Sequence, residues 1–296
     1  MLFGRLYSSL IATVEKDSGG RIKGEIYPAS QLGSIPRQIE GVQFDSIQGW
    51  IGPPEFLVGL DQRYEALSAP GLFSSTDQAV RVIFDPVVRD MILGLGANKG
   101  LVGIGIIPYG PSSVVARRPL RQLADFKGTK VRVLASSFQL EMIKRMAASP
   151  IAMTLADVLP ALQQGAIDAA LSSLPVYTTM HYQDAARYVV DIEQPYISSI
   201  IEMSKKWLDG LPADLQKVVR DDAASVSKEL VPFAKEFYAK QRRLWTEHGG
   251  DLASLSEGDK AALMEKISSI GFDLSKSNPD LNKAVVTVFE SAKRNK

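Results

Sequence analysis

The chain has 296 residues, 45% hydrophobic and 23% charged, with 34 Lys and Arg against 33 Asp and Glu; it is long enough for two lobes with their own cores and carries no basic footprint for nucleic acid. It has no cysteine, which excludes disulfides, thiolate metal sites and a cysteine nucleophile. Its two histidines, His181 and His248, fall in no HExxH pattern and are too few for most zinc sites, and no run approaches the roughly 18 apolar residues of a membrane span.

Residues 1–16 put Leu2, Phe3, Leu6, Leu10 and Val14 on about one helical stripe, interrupted by Arg5. No secretory h-region or small-residue cleavage site accompanies it. Ser18-Gly19-Gly20 closes that helix. A strand is predicted over 22–27, a loop over 28–33, and a helix from Pro36 with Ile39 and Val42 on one side. A short strand over 46–51 ends at Gly52-Pro53-Pro54. Residues 75–94 read as one helix. The apolar run 101–108 reads as a buried strand, and 114–117 as the start of another. Over 130–134, Val131 and Val133 alternate with Arg132, so the valines take one face of a strand and the guanidinium the other. Helices follow over 138–146 and 175–186, with short strands entered over 166–171 and 188–192. Thr154-x-x-Asp157 reads as a capping box, and Pro160 predicts a short or broken element behind it. The last third is helical. Residues 213–247 would span about 50 Å if continuous, with Pro232 the place for a kink. Amphipathic helices are expected over 257–267 and 279–292. Strands alternating with helices argue an α/β chain with mixed sheets.

Arg132 is either a solvated strand charge or the anchor of a site, because its planar fork pairs with a carboxylate through two parallel hydrogen bonds. Its context is a series of motifs: Asp125, Lys127, Gly128, Lys130, Arg132 and Val133; then Pro150 and Met153; then Ala161, Leu162, Gln163, Gly165 and Asp168. In order and spacing these residues resemble the solute receptors of TRAP transporters, the DctP-type periplasmic binding proteins. The resemblance extends to the segments 26–43, 69–73 (APGLF) and 205–216 (KKWLDGLPADLQ), about four fifths of the chain. It implies a two-lobed periplasmic-binding-protein-like fold with mixed sheets, a cleft between the lobes and a long helix bridging them. Lobe I would comprise 1–109 plus 197–234, and lobe II 110–196 plus 235–296. The resemblance further implies a monomeric periplasmic receptor with no cofactor or metal that performs no chemistry. Such a receptor hands a small organic acid to a small and a large membrane subunit. In the family a signal peptide and a first strand precede the helix with which this chain begins. The expectation is therefore a first-lobe sheet lacking one strand, with unpaired edges.

Arg132 matches the family's carboxylate-binding arginine. Ungapped counting puts Ser112 where many members, notably those for sialic acid, carry a second arginine. Ser172 stands for an asparagine, Leu155 for a phenylalanine, and Ala169 for the glycine after Asp168. One cation among small or apolar groups disfavours sialic acid and points to a monocarboxylate with an apolar or aromatic body. A C4-dicarboxylate, a 2-oxo acid, or a ligand sensor of the same fold are the alternatives. Trp50 and Tyr109, each at a strand end beside Gly-Pro, either stack on a ligand or pack beneath their loops. Gln31 either lends an amide to the ligand or caps its loop. Phe138 either closes the pocket or packs in the core. Ser136 and Ser137 are set to cap the helix that follows, Tyr177 to lie in the core, and Arg117, Arg118 and Arg121 to form a solvated face. An enzyme would need signatures that fail here. The glycine-rich run 94–100 follows a helix rather than a strand, and His181 with Asp184 has no G-x-S-x-G nucleophile beside it.

Overall fold

A computed structural model describes residues 2–28, 31–134 and 136–296. In chain order the helices and strands are α1 (Leu2–Asp17), α2 (Ile35–Gln43), β1 (Gly49–Gly52), α3 (Thr76–Ile83), α4 (Pro86–Leu93), β2 (Leu101–Ala116), β3 (Lys130–Val133), α5 (Ser137–Arg145), β4 (Ser149–Ala152), α6 (Leu155–Gln164), β5 (Ala169–Ser172), α7 (Leu174–Thr179), β6 (Tyr188–Ser204), α8 (Lys205–Gly210), α9 (Ala213–Glu247), β7 (Asp251–Ser254), α10 (Glu257–Ile267), α11 (Ile270–Ser275) and α12 (Pro279–Arg294). Short 3-10 turns occupy Pro54–Leu57 and Gln62–Ser68.

The strands run β1-β6-β2-β5-β3-β4, with β7 also on β6. β2 and β6 pair antiparallel from Leu101 opposite Ser204 to Ala116 opposite Tyr188. The first half of β2 and the second half of β6 share a lobe with β1; their other halves carry β5 and β7. The result is the two-lobed, mixed α/β fold expected, with an open sheet threaded by two strands common to both lobes. The 35-residue α9 packs on α1 and β2 at one end and on α7 and β7 at the other. It is continuous through Pro232.

Several local expectations are corrected. Residues 101–108 and 114–117 form one strand, not two. The ladder slips register between Gly103 and Gly105, Pro108 and Gly110, and Pro111 and Ser113. Those slips accommodate two prolines that a regular ladder would reject. Likewise β6 continues past residue 192 to Ser204. Residues 75–94 form two helices, because Pro86 lacks an N–H and disfavours helical geometry before it; Asp85 caps the second by accepting from the Val87 N–H. The predicted helix over 175–186 stops at Thr179, and His181 takes a positive φ of 54°. The helix at Pro160 is unbroken: proline removes only one bond there, to a carbonyl on the exposed Ala156. Thr154 does not close a capping box; its hydroxyl donates to Asp157 Oδ2 at 2.6 Å. β4, β7 and α11 were not anticipated.

The strand predicted over 22–27 does not form: these residues carry no regular secondary structure, and Ile26 and Tyr27 are exposed. The edge of β1 is met by α1 instead of a strand. The Tyr7 hydroxyl accepts from the Ile51 N–H at 3.1 Å and donates to the Ile51 carbonyl at 3.2 Å. One side chain thus satisfies both ladder groups of an edge residue.

Of the buried carboxyls, Glu202 and Glu55 are pushed furthest from their ordinary range. Glu202, on β6 between Trp50 of β1 and Gly103 of β2, accepts from the Tyr64 hydroxyl at 2.9 Å, while its Oε2 is unpartnered. Burial pushes it up to about 8. Glu55 is pushed up to about 7, by burial first and also by the charge of Glu65. A carboxyl raised on folding makes the native state hold the proton more tightly than the unfolded chain. Stability is therefore lost as pH climbs from the unfolded value of 4.5 through 7 and 8. The thermal midpoint is expected to fall between pH 5 and pH 8.5. Glu202→Gln should flatten that slope and exceed the parent at the alkaline end, as read by scanning fluorimetry across the pH series.

Candidate functional site

β3 is parallel to both β4 and β5. Their carboxyl ends, Val133, Ala152 and Ser172, are followed within four residues by the starts of α5, α6 and α7. Three helix N-termini therefore gather at one edge of the sheet, which favours negative charge there. This is also where ligands bind in open α/β sheets.

Arg132 lies on β3 and is only 1% exposed. Its Nε donates to the Met153 carbonyl at 2.9 Å and its Nη1 to the Leu171 carbonyl at 3.2 Å. The first acceptor follows β4 and the second lies within β5, so the guanidinium ties β3 to the ends of both neighbouring strands. Nη2 is buried and, among the described residues, has no partner. Burial lowers the pKa of the guanidinium, and the nearby hydroxyls of Tyr182 and Tyr177 oppose that shift. Among the described residues, no carboxylate acts on it. Arginine keeps its charge under such pressure, so the site holds a desolvated cation with a free N–H and no counter-charge. Tyr177 and Tyr182 stack beside it, ring centres 5.7 Å apart.

Motif residues around the arginine turn out to be scaffold. Asp168 Oδ2 accepts from the Lys130 N–H at 2.9 Å, and its own N–H returns a bond to the Lys130 carbonyl. Gly165 ends α6 with φ 73°, and a Cβ there would meet the Arg117 guanidinium at 2.8 Å.

The other sequence candidates divide. Ser172 ends β5, half-buried, beside the carbonyl that Arg132 grips, and lies opposite Ser113. Ser112 is adjacent but engaged: its hydroxyl donates to the Pro195 carbonyl at 2.6 Å, binding β2 to β6 where their register slips. Leu155 is half-buried in the first turn of α6, and its carbonyl accepts from the Tyr182 hydroxyl at 3.4 Å. Tyr109 sits on β2 among Ala234, Val176, Ile197 and Phe237. Burial pushes its phenol up to about 12, against an opposing hydrogen bond with Ser173. Trp50 and Phe138 are core residues, 5% and 0% exposed. The Trp50 indole folds over Gly52, where an added Cβ would come within 2.3 Å of the ring. Gln31 is exposed, in a turn closed by its own N–H to the Pro28 carbonyl. Ser136 caps α5 as expected, accepting from the Gln139 N–H.

Tyr177 lies in the core as the sequence suggested, but its stacking on Tyr182 beside Arg132 was not foreseen, and Glu65 was missed. Tyr177 follows the proline that opens α7, and only the fold reveals that this turn faces Arg132. Its hydroxyl donates to the Ser113 and Ala170 carbonyls, at 2.7 and 2.9 Å. Tyr177→Phe would leave those buried acceptors short of a donor, at a cost of about 1–3 kcal/mol; chemical denaturation should read the loss. Two open cavities, of about 550 and 350 Å³, lie along α9, and neither is lined by Arg132.

A two-lobed frame with a buried, uncompensated cation at the strand ends is the arrangement of a receptor for an acidic solute. The profile of the family described as bacterial extracellular solute-binding protein, family 7 (DctP), matches residues 3–273, and the chain belongs to that family. The uncharacterized protein YiiZ of Salmonella typhimurium is 28% identical over 229 residues, 77% of this chain and 69% of its own. A TRAP periplasmic solute-binding protein of Desulfovibrio salexigens, solved with bound orotic acid, superposes with a TM-score of 0.94 at 21% identity, covering 100% of this chain and 96% of that one. The sugar acid binding protein DctPAm of Advenella mimigardefordensis, in complex with galactonate, gives 0.93 at 22% identity, covering 100% and 94%. Receptors of this kind bind small acids and work with membrane subunits. Among the described residues, no helix is long and apolar enough to cross a membrane.

Proposed function

We propose that this receptor captures a small monocarboxylate whose carboxylate completes the hydrogen bonding of Arg132. The carrying observation is the buried, unpartnered Nη2 on a cation without a counter-charge. An isolated buried cation is costly to keep, and an incoming carboxylate relieves that cost. With Ser112 holding its hydroxyl on Pro195, no second cation stands beside the first among the residues that gather there, which favours one carboxylate over two. Orotate and galactonate, bound by the two structural relatives, are both monocarboxylates. Trp50 and Phe138 are committed to the core, so an aromatic ligand body finds less stacking surface than the sequence suggested. A polar or hydroxylated acid is favoured over a purely apolar one. A C4-dicarboxylate is the second reading.

The lobe boundary falls, in this reading, at the register slips near residues 110 and 196, with lobe II continuing from 235. We add that α12 rides on the first lobe, since it packs against residues 62–68, α3 and α4. The receptor acts as a monomer and delivers its solute to a small and a large membrane subunit.

Arg132→Ala and Arg132→Met are expected to lose at least about 30-fold in affinity, the range for breaking one side of a buried charged pair being about 2–5 kcal/mol. Arg132→Met keeps the bulk and removes the unpaired charge, so its unliganded midpoint should not fall far. The check is a thermal-shift screen of D-galactonate, orotate, 2-oxo acids and succinate against parent and variants. A ligand at 100-fold over Kd adds about 2.7 kcal/mol. A response to succinate alone would favour the dicarboxylate reading. Equal responses from parent and Arg132 variants would remove Arg132 from the site.

A further inference from the structure

The turn that leaves the arginine strand is held from a distance. Glu65, 3% exposed in the 3-10 turn Gln62–Ser68, places its carboxylate on the first turn of α5. It accepts from the Ser136 hydroxyl at 2.7 Å, from the Ser137 hydroxyl at 3.1 Å to both oxygens, and from the Phe138 N–H at 3.2 Å. Neighbouring bonds stiffen the same turn. Gln139 Oε1 accepts from the Leu134 N–H at 3.0 Å, and Ser136 Oγ accepts from the Gln139 N–H at 3.4 Å. Leu134 lies only two residues beyond Arg132. The partners of Glu65 are 71 to 73 residues away in sequence, beyond the first passage of the chain between the lobes.

A carboxylate at a helix N-terminus is ordinary helix electrostatics when the two are neighbours in the chain. Here it comes from a segment more than seventy residues earlier, across the lobe division proposed above, although Leu67 and Phe73 on its side and Val133 and Phe138 on the other share one buried apolar core. Residues 62–68 pack on 54–57, β6 and α12, whereas α5 packs on β3, β4, α10 and α11. Charge-assisted bonds of this kind are about twice as strong as neutral ones. They are also out of water, so breaking them leaves a carboxylate and its donors to be solvated or re-paired.

We propose that Glu65 is a positioning residue of the solute site: from the first lobe it pins the turn that follows the Arg132 strand, so that docking of the lobes and the set of the arginine are coupled. This rests on the lobe division given above. Apposition of the lobes orders the β3–α5 turn through Glu65; a solute held by Arg132 then leaves only when that clamp lets go. The clamp acts on residence time more than on encounter.

The test uses Glu65→Ala, Glu65→Gln and Ser137→Ala in the full chain, with two readouts. Amide hydrogen exchange of the unliganded protein should show Phe138, Gln139 and Leu140 exchanging about tenfold faster or more in Glu65→Ala. Distant helices such as α3 should be unchanged. Stopped-flow binding of D-galactonate and of orotate should show dissociation faster by about tenfold, with association within about threefold of the parent. Glu65→Gln, which keeps one acceptor, should recover part of both effects. Should Glu65→Ala fail to fold, Ser137→Ala removes one clamp bond at little structural risk and should move both readouts in the same direction. Unchanged protection of the α5 first turn overturns the proposal. So does faster exchange with unaltered dissociation, which would leave Glu65 a purely structural cap. If neither acid binds the parent, the solute class is wrong, and the exchange readout alone still decides whether Glu65 pins the turn.

Discussion

The site is organised around a positive charge buried without a negative one. A guanidinium at the end of β3 is held by two backbone carbonyls, one just past β4 and one within β5, which fix its direction but do not neutralise it. Backbone carbonyls offer partial charge only, so the arrangement is stable because the rest of the fold supplies it and a solute completes it. Helix starts at the same sheet edge add to the positive potential. The tyrosine pair gives the cation a rigid wall, and hydroxyls that engage backbone carbonyls lock the surrounding loops. Affinity in such a site comes from preorganisation: the groups are already in place and desolvated before the ligand arrives.

The charge can be kept this way because the scaffold on either side is shared. β2 and β6 belong to both lobes, and α9 spans them. The lobes are therefore not independent domains on a linker. Register slips concentrate where the strands pass from one lobe to the other, which is where a sheet bends at least cost. Ser112 bonds across that passage. The residue standing where sialic acid receptors carry a second ligand arginine thus serves the crossing.

Much of this was legible in the sequence, for identifiable reasons. The Arg132 strand, the α9 span of 213–247 and the helix over 257–267 follow from periodicity, and the frame followed from motif order. Periodicity failed where tertiary context overrode it. A single proline split 75–94, whereas Pro160 and Pro232 left their helices whole, because the cost of a missing N–H depends on what the freed carbonyl can reach. The long strands were misread as fragments because glycine and proline interrupt them, although bulges accommodate both. The candidate aromatics, left open between cleft and core, went to the core for a different reason. Trp50 and Phe138 stand beside loops in sequence, but their large apolar surfaces are worth more in the core than in a cleft. Glu65 was invisible because its partners lie more than seventy residues away, and no local pattern marks a carboxylate that serves another element's first turn.

The slips in the β2–β6 ladder carry a consequence for parity. Gly103 opposes Glu202 and Gly105 opposes Ile201, so β2 advances two residues for one of β6; the same happens from Pro108 to Gly110. Each extra residue shifts the odd–even numbering of β2 against β6, and the second shift restores what the first changed, while residues directly opposite each other keep the same face. From Pro111 to Ser113 the imbalance reverses, β6 advancing from Tyr196 to Asp191 for two residues of β2. Beyond that point Val114 and Ala116 point into one core and Val115 into another. The crossing is therefore an odd–even counter. Losing a paired residue, as opposed to the extra residue of a bulge, would shift the alternation of everything beyond it, presenting core side chains to water and polar ones to the core. The length of this passage is fixed by alternation as strictly as the identity of any residue in the site.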